Sequence, residues 1–244
     1  MRPSSTLSLA ALCAGLAATP LAAQNVFTLD ELVFSASLTD VARDRTGVRV
    51  SRLTARDLAN GGRLQFSEFL ETLAGVNVTQ SGPIGTSATL RIRGLDSKYI
   101  PVRINGIDVT DPSSTQTQFD FGKLTSSGIA SAEVLYGSQS AILGSGAIGG
   151  AVNITTVDAP DEIGSEIGYN LEVGSFETMR TGLTYGTRFE RGFLAVSLSN
   201  TNTEGYSAAD ENAGNAEADG FESTDLSLRG EYQATDTLTF GASV

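Results

Sequence analysis

Glycines in the middle of the chain have the spacing of a dinucleotide-binding loop. Gly144, Gly146 and Gly149 fit the pattern G-x-G-x-x-G, in which backbone amides at a helix N-terminus hold a pyrophosphate. That chemistry requires a strand before the glycines and a helix after them. Here the β-branched run 151–156 follows, and its pattern predicts a strand instead of a helix. We therefore interpret the glycines as part of a tightly packed turn between two strands within Ile129–Thr156, where they allow positive φ and close backbone approach.

Carboxylates are concentrated in the polar segment Thr203–Ser223. Clustered carboxylates repel one another unless a hard cation such as Ca²⁺ neutralises them, so the segment is a candidate calcium site. The spacing does not fit an EF-hand loop, and a solvated acidic loop is the alternative interpretation. The candidate ligands are Asp210, Glu211, Glu217 and Asp219, and Glu204 and Glu222 lie in the same segment.

Composition excludes several other kinds of chemistry. The chain has no histidine, and its only cysteine, Cys13, lies in an apolar segment near the N-terminus. Disulfides, thiolate metal sites and Ser-His or Cys-His nucleophiles therefore have no residues to form them once that segment is removed. The net charge of -12 argues against a nucleic-acid partner, because binding phosphates needs clustered Lys and Arg. We predict no enzymatic activity and no cofactor other than this calcium.

Residues 1–23 are typical of a secretory signal peptide. A basic residue and the apolar stretch Leu7–Ala18 precede small residues and the predicted cleavage after Ala23. No apolar run of about 20 residues follows, so the sequence predicts no membrane-spanning helix. In the leader, residues 24–47, the run Leu29–Ser35 is prone to form a strand. It could be the first strand of the next domain, or a tethered segment that a partner captures by strand addition.

Residues 48–158 carry the signals of a small mixed domain. Thr54 and Asp57 have the spacing of a capping box at the start of a short helix, and Ser67 is placed to cap a second one. Asn105-Gly106 between two short apolar runs predicts a β-hairpin. The predicted strands of this part are Val76–Thr79, Ala88–Ile92, Val102–Ile104 and Ile107–Val109.

The composition changes after Pro160, where apolar and polar residues begin to alternate strictly. The alternating runs cover 166–173, 179–188, 194–199, 225–233 and 238–244. Each run approaches the roughly 10 residues that a tilted membrane strand requires. A soluble sandwich alternates in the same way, because one face of each sheet meets a core. The tight links at 190–192 and 234–236, against the long link at 203–223, favour a membrane barrel, which has short turns on one side.

These residues together resemble a known family. Glu133–Ala141 and Gly144–Thr156 look like the plug-domain signature of TonB-dependent outer-membrane receptors. Leu90–Gly94 and Arg103–Val109 are similar to earlier plug motifs of that family, and Leu73–Val78 fits a third. The arrangement most resembles the branch that contains cobalamin and catecholate-siderophore receptors. In that branch, some members order an acidic loop with calcium.

The resemblance implies a fold and a location. We expect an α+β plug domain at 48–158, followed at 159–244 by antiparallel transmembrane β-barrel strands in the outer membrane of a Gram-negative bacterium, in contact with its lipid. The family's barrel has about 22 strands with the plug in its lumen. The alternating runs here are too few to close such a barrel, and an open sheet would expose unpaired backbone groups to lipid. We therefore expect the barrel to be incomplete in this chain, and the whole receptor to be about three times longer.

The resemblance also implies roles for particular residues in the uptake of a scarce nutrient, such as a ferric siderophore or cobalamin. Leu29–Ser35 falls where the family carries its TonB box, so TonB is the expected partner. The TonB-binding residues would be Leu29, Asp30, Glu31, Leu32, Val33, Phe34 and Ser35. The small-molecule or metal-chelate substrate would contact the loops after two plug strands. The candidate contacts are Gln80, Ser81, Gly82, Thr86, Ser87, Asp111, Ser113, Ser114 and Gln116.

Arg93 is a candidate for contact between plug and barrel. In some members of the family, an arginine at this position joins a second one in an ionic lock to barrel glutamates. The second basic residue is commonly near the position of Tyr136, and this sequence has none there. Arg93 would then serve half of the lock.

Other interpretations remain open. A secreted soluble β-rich binding protein would also have alternating strands. A receptor that acts mainly in surface signalling usually has an extra periplasmic domain before its TonB box, and the few residues between Ala23 and Leu29 leave no space for one.

Overall fold

The computed structural model describes residues 32–33, 41–42, 47–113, 116–209, 211–215 and 217–244. They belong to the larger of two compact units, Glu31–Val244. The predicted signal peptide and most of the leader lie outside the described residues. Within the leader, strands β1 (Leu32–Val33) and β2 (Val41–Ala42) form a short antiparallel pair.

We call residues 47–158 the plug. Its first part is a strand that leads directly into a helix. Strand β3 (Arg49–Thr54) is followed by helix α1 (Ala55–Asn60). The backbone amide of Asp57 donates to Thr54 Oγ1 at 3.3 Å, and the backbone amide of Thr54 donates to Asp57 Oδ2 at 2.9 Å. The predicted capping box is therefore confirmed.

The second helix, α2 (Phe66–Glu71), begins earlier than predicted. Its N-cap residue is Gln65, which makes no side-chain cap hydrogen bond, and Ser67 lies buried inside the first turn. The prediction that Ser67 caps this helix is wrong. The Phe66 amide instead donates to the Leu124 carbonyl at 3.0 Å. A backbone group distant in sequence therefore accepts the hydrogen bond of the first amide of the helix.

Two hairpins follow. Strands β4 (Val76–Gln80) and β5 (Ala88–Ile92) pair with each other, and β6 (Val102–Ile104) pairs with β7 (Ile107–Asp108). The turn of the second hairpin has φ of 51° at Asn105 and 82° at Gly106, the positive values that a type I′ turn requires. The hairpin predicted at Asn105-Gly106 is confirmed, and so are the four predicted strands, whose ends differ by at most one residue.

The glycine-rich segment lies between strands β8 (Ile129–Tyr136) and β9 (Gly150–Thr156), which pair antiparallel. The sequence predicted both strands but not the single helical turn α3 (Ser140–Leu143) between them. The mixed sheet has the order β3-β8-β9-β6-β7, and β6 runs parallel to β9. The largest fully buried side chains of the plug come from this sheet, from α2, from β5 and from the loops, and they include Phe66, Phe121, Leu70, Leu90, Ile92, Ile100, Leu135 and Ile154.

A second five-stranded sheet follows the plug, and we call it the wall sheet. Each of its strands pairs antiparallel with the next, in the order of the sequence. Its strands are β10 (Gly164–Val173), β11 (Met179–Phe189), β12 (Gly192–Thr203), β13 (Phe221–Thr235) and β14 (Leu238–Ser243). The turns after β11 and β13 are short, whereas residues 204–220 form the long loop that the sequence predicted.

The two faces of the wall sheet have opposite character. On β12, burial alternates at every residue, with Ala195 and Ser197 covered and Leu194 and Leu198 exposed. The covered face is rich in hydroxyl and charged side chains, and it contacts the plug. The exposed face carries large apolar side chains along all the strands. None of the helices in the described residues is long and apolar enough to cross a membrane.

Candidate functional site

The first candidate substrate loop, Gln80–Ser87, joins β4 to β5 and is held by its own hydrogen bonds. Gln80 Nε2 donates to the Pro83 carbonyl at 2.9 Å, and Thr86 Oγ1 donates to the same carbonyl at 2.7 Å. The Ser81 amide donates to the Ser87 carbonyl at 3.1 Å. The side chains of Ser81 and Ser87 remain exposed. The structure therefore keeps this group of predicted residues together in one fixed loop.

This loop lies against the end of the wall sheet that carries the long loop. A Cβ atom on Gly85 would be 2.8 Å from the Phe221 ring at the start of β13. A Cβ atom on Gly82 would be 3.3 Å from the Ala208 Cβ, inside loop 204–220. The short turns are at the opposite ends of the strands. The first candidate loop is thus placed where a ligand arriving from the long-loop side would meet it.

The second candidate loop begins after β7 and is closed by Asp111. The Asp111 amide donates to the Gln118 carbonyl at 3.0 Å, and the Ser113 amide and hydroxyl donate to Asp111 Oδ1 at 2.8 and 2.7 Å. Asp111, Ser113 and Gln116 are exposed. Ser114 lies outside the described residues.

Asp120 lies after the second loop and binds the end of the first, and the sequence reasoning missed it. Its Oδ1 accepts from the Ala88 amide at 2.8 Å and from the Gly122 amide at 2.9 Å. The Gly122 carbonyl in turn accepts from the Gly85 amide at 2.9 Å. An Asp two residues before a Gly is a recognisable turn signal, but its partner Ala88 is distant in sequence. These bonds fix the end of the first loop, whose exposed hydroxyl groups can form hydrogen bonds with a polar ligand.

The acidic loop is only partly described. Asp219 Oδ2 accepts from the Ala208 amide at 2.8 Å, and Glu217 is exposed. Asp210 and the side chain of Glu211 lie outside the described residues. Among the acidic side chains that the structure does describe, no group of three or more is arranged to hold a metal ion. Calcium binding by this loop therefore stays a prediction.

Arg93 is held by an aromatic ring of the plug. Its guanidinium carbon lies 5.1 Å from the centre of the Tyr136 ring, and that of Arg49 lies at the same distance from the same ring. Both distances are within the range of a cation–π interaction. The sequence reasoning missed Arg49, which is the cross-strand partner of Tyr136. Contact of Arg93 with barrel glutamates stays a prediction.

The plug also makes polar contacts with the covered face of the wall sheet. Thr125 Oγ1 donates to Asp225 Oδ2 at 3.1 Å. Arg229 Nη1 lies 3.3 Å from Asp158 Oδ2. Alternation in the sequence predicted a polar face here, but it could not predict which plug groups would meet it, because those contacts join residues far apart in the chain.

A mixed domain seated on the polar face of an antiparallel sheet, whose other face is apolar, is the arrangement expected of a plug beside the wall of an outer-membrane barrel. Residues 42–151 match the family described as TonB-dependent Receptor Plug Domain. The chain therefore carries the plug domain of TonB-dependent receptors over residues 42–151. The predicted fold class and outer-membrane location are confirmed by this match and by the similarities that follow.

Similar proteins include vitamin B12 transporters and siderophore receptors. The chain is 33% identical over 145 residues to the vitamin B12 transporter BtuB of Photobacterium profundum, covering 59% of this chain and 23% of that protein. It is 27% identical over 222 residues to BtuB of Vibrio vulnificus, covering 89% and 35%. The crystal structure of the siderophore receptor PirA from Acinetobacter baumannii matches with a TM-score of 0.60 and 26% identity, covering 80% of this chain and 30% of that one. The chain thus spans between about a quarter and a third of these relatives' length.

The domain limits 1–23, 24–47, 48–158 and 159–244 stay predictions.

Proposed function

We propose that this chain forms the plug and part of the barrel wall of a receptor that takes up a ferric siderophore or cobalamin across the outer membrane. The observation that carries the proposal is the seating of the plug against the polar face of the wall sheet. A barrel filled in this way blocks free diffusion, so uptake needs a force that displaces the plug. The similar proteins are transporters and receptors, which supports transport in place of enzymatic activity.

In this proposal the substrate binds first at the long-loop end of the wall. The exposed hydroxyl and amide groups of Ser81, Ser87, Ser113 and Gln116 offer hydrogen bonds to the polar rim of a metal chelate or corrinoid. The loops are already fixed by internal hydrogen bonds, so little ordering entropy is lost on binding. The acidic loop 204–220 would close over the same end, with or without calcium.

TonB is the proposed source of force. It would pair with Leu29–Ser35 from the periplasm by strand addition and pull on the plug, driven by the proton gradient of the inner membrane. Strand addition uses backbone amides and carbonyls, so a segment that readily forms a strand is suited to it. The pairing of Leu32–Val33 with Val41–Ala42 supports this, because it shows that the leader forms such a strand.

A proline substitution tests this proposal in the complete receptor. Leu32→Pro removes a backbone donor, whereas Leu32→Ala shortens the side chain and keeps the donor. A screen of iron chelates and cobalamin first identifies the substrate by equilibrium binding to purified receptor. Uptake of that radiolabelled substrate by cells is expected to fall at least about tenfold for Leu32→Pro, since a lost strand contact of about 1.4 kcal/mol is already a tenfold effect.

Binding at the cell surface should be unchanged in both variants, and Leu32→Ala should keep most of the uptake. Full uptake by Leu32→Pro would refute capture of this segment by TonB. Failure of every chelate and corrinoid to bind would refute the proposed substrate class.

A further inference from the structure

Arg180 is a charged residue that the fold buries. It is 6% exposed, on the covered face of β11, where its strand neighbours are Glu172 on β10 and Thr201 on β12. A guanidinium removed from water is strongly destabilising unless it is paired and hydrogen-bonded. Its partners therefore show what this charge is used for.

The wall supplies the counter-ion and the plug supplies the acceptors. Arg180 Nη2 forms an ion pair with the Glu172 carboxylate of the neighbouring strand. Its other terminal nitrogen, Nη1, donates to Ser126 Oγ at 2.6 Å and to the Arg63 carbonyl at 3.3 Å. The charge is thus neutralised within the wall sheet, while the hydrogen bonds from Nη1 are directed at the plug.

The contact lies where two distant segments of the plug meet. Ser126 Oγ donates to the Arg63 carbonyl at 2.8 Å across 63 residues of sequence, and the Ser126 amide donates to the Leu64 carbonyl at 3.0 Å. Gln65 and Thr125 form an isolated antiparallel bridge beside them. Arg180 therefore binds a junction that closes the plug on itself, and not a free loop tip.

A second charged contact between plug and wall is much more accessible to water. The side chains of Arg229 and Asp158 are 24% and 45% exposed, and exposed ion pairs contribute little to stability. By contrast, the side chain of Arg180 is 8% exposed. Hydrogen bonds to buried charged groups are among the strongest in proteins, and removing one partner leaves the other unsatisfied.

We propose that Arg180 is a positioning residue that holds the plug against the covered face of the wall sheet. It does so through its contact with Ser126 and Arg63, which we call the plug latch. When the plug moves, Glu172 remains beside Arg180 on the wall and keeps the guanidinium neutralised. The latch can therefore open without stranding a charge and can close again on the returning plug. The proposal rests on the proposed function in one respect, namely that the plug moves during uptake. The contact itself needs neither substrate nor TonB.

Hydrogen exchange of the complete, purified receptor in lipid nanodiscs, measured by mass spectrometry, tests the latch. Arg180→Gln should accelerate exchange in peptides covering 62–66 and 124–128 by roughly ten- to a hundredfold, the factor that corresponds to a charged hydrogen bond. Peptides of β12 and β13 should exchange as in the unchanged receptor. Arg191→Gln is the matched control, because Arg191 is exposed in the short turn after β11 and lies outside the latch.

A second variant covers the case in which Arg180→Gln fails to assemble. Ser126→Ala removes the plug acceptor and leaves the pair of Arg180 with Glu172 intact, so the wall should stay protected while 62–66 and 124–128 exchange faster. The effects of Ser126→Ala and Arg180→Gln on exchange should be less than additive in the double variant, because both substitutions remove the same hydrogen bond between Arg180 and Ser126. Unchanged exchange at 124–128 in either variant, or equal acceleration in β12 and β13, would overturn the latch. Because exchange is measured without substrate, its result can be interpreted even if the transport proposal fails.

Discussion

At the scale of single residues, Thr54 fixes the start of helix α1. Its hydroxyl accepts the Asp57 amide, and its own amide is bound by the Asp57 carboxylate. Thr54→Val keeps the shape of the side chain and removes the cap, so we expect a loss of about 1 kcal/mol of local stability. Hydrogen exchange of residues 55–58 in the complete receptor measures it. Thr54→Ser keeps the hydroxyl and should change little, and equal exchange in the two variants would contradict the role of the cap.

The same pair makes the stability of this helix depend on pH. Hydrogen bonds from the Thr54 backbone amide and from its hydroxyl lower the pKa of the Asp57 carboxyl. A carboxyl whose pKa is lower in the folded protein stabilises it at pH values above its unfolded pKa, near 4. That contribution is lost as the pH falls through the lowered folded pKa. In Thr54→Val the acid-dependent part of the exchange of 55–58 should therefore shrink.

The two helix starts show why the sequence predicted some residues correctly and others not. Thr54 and Asp57 are three positions apart, so their bond can be read from a short stretch of sequence. Ser67 has an equally suitable side chain, but the amide of Phe66 already reaches the Leu124 carbonyl, and the helix begins there. Asp120 and Arg49 escaped prediction for the same reason, because their partners come close only in the folded chain.

At the scale of elements, Gly150 determines how closely β8 and β9 approach. Its φ is +150°, and a Cβ atom there would overlap the Leu135 carbonyl oxygen. Gly150→Ala should therefore disrupt the pairing of these strands and cost roughly 2–4 kcal/mol. Gly146→Ala is the matched control, because a Cβ atom there has open space. The thermal midpoint of the complete receptor, followed by circular dichroism, should fall clearly only for Gly150→Ala.

The structure also decides between the two interpretations of the glycine spacing. Strand β9, and not a helix, follows the glycines, so they do not form a pyrophosphate loop. Close packing is confirmed at Gly149, where a Cβ atom would be 3.1 Å from the Leu95 Cβ, and positive φ at Gly144, whereas Gly146 has neither. The sequence predicted the strands around this segment because apolar β-branched residues repeat there. It could not predict the one-turn helix α3, which is too short to have a periodicity.

At the scale of the whole molecule, the apolar face of the wall sheet is suited to lipid. Leu198→Lys would place a charge near the middle of β12 and should cost about 2–4 kcal/mol, whereas Asn202→Lys, on the same face near the strand end, should cost about 0–1 kcal/mol. Unfolding of the complete receptor by guanidinium in lipid vesicles measures both. Equal losses would contradict a bilayer around this face.

Aromatic residues mark both ends of that face. Phe176 and Tyr206 pack with ring centres 5.4 Å apart at the long-loop end, and Phe189 and Tyr232 lie 6.4 Å apart at the short-turn end. Between them, β12 has 12 residues. At about 3.3 Å per residue and a tilt of about 40°, such a strand spans roughly 30 Å, close to the apolar thickness of a bilayer. The lengths of the alternating runs in the sequence predicted strands close to the length that is needed to cross a bilayer.

The position of β3 determines how the plug responds to mechanical load. Among the described strands, β3 lies at one edge of the mixed sheet and pairs with β8 alone. It is also the first strand of that sheet after the leader, so tension applied to the leader would reach it first, at Arg49 opposite Tyr136. A pull within the plane of the sheet, away from β8, breaks the ladder one bond at a time, which requires less force than sliding the strands past each other. Under such a pull, the edge strand would yield gradually, and the contact around Arg180 would carry load only after the sheet had begun to peel.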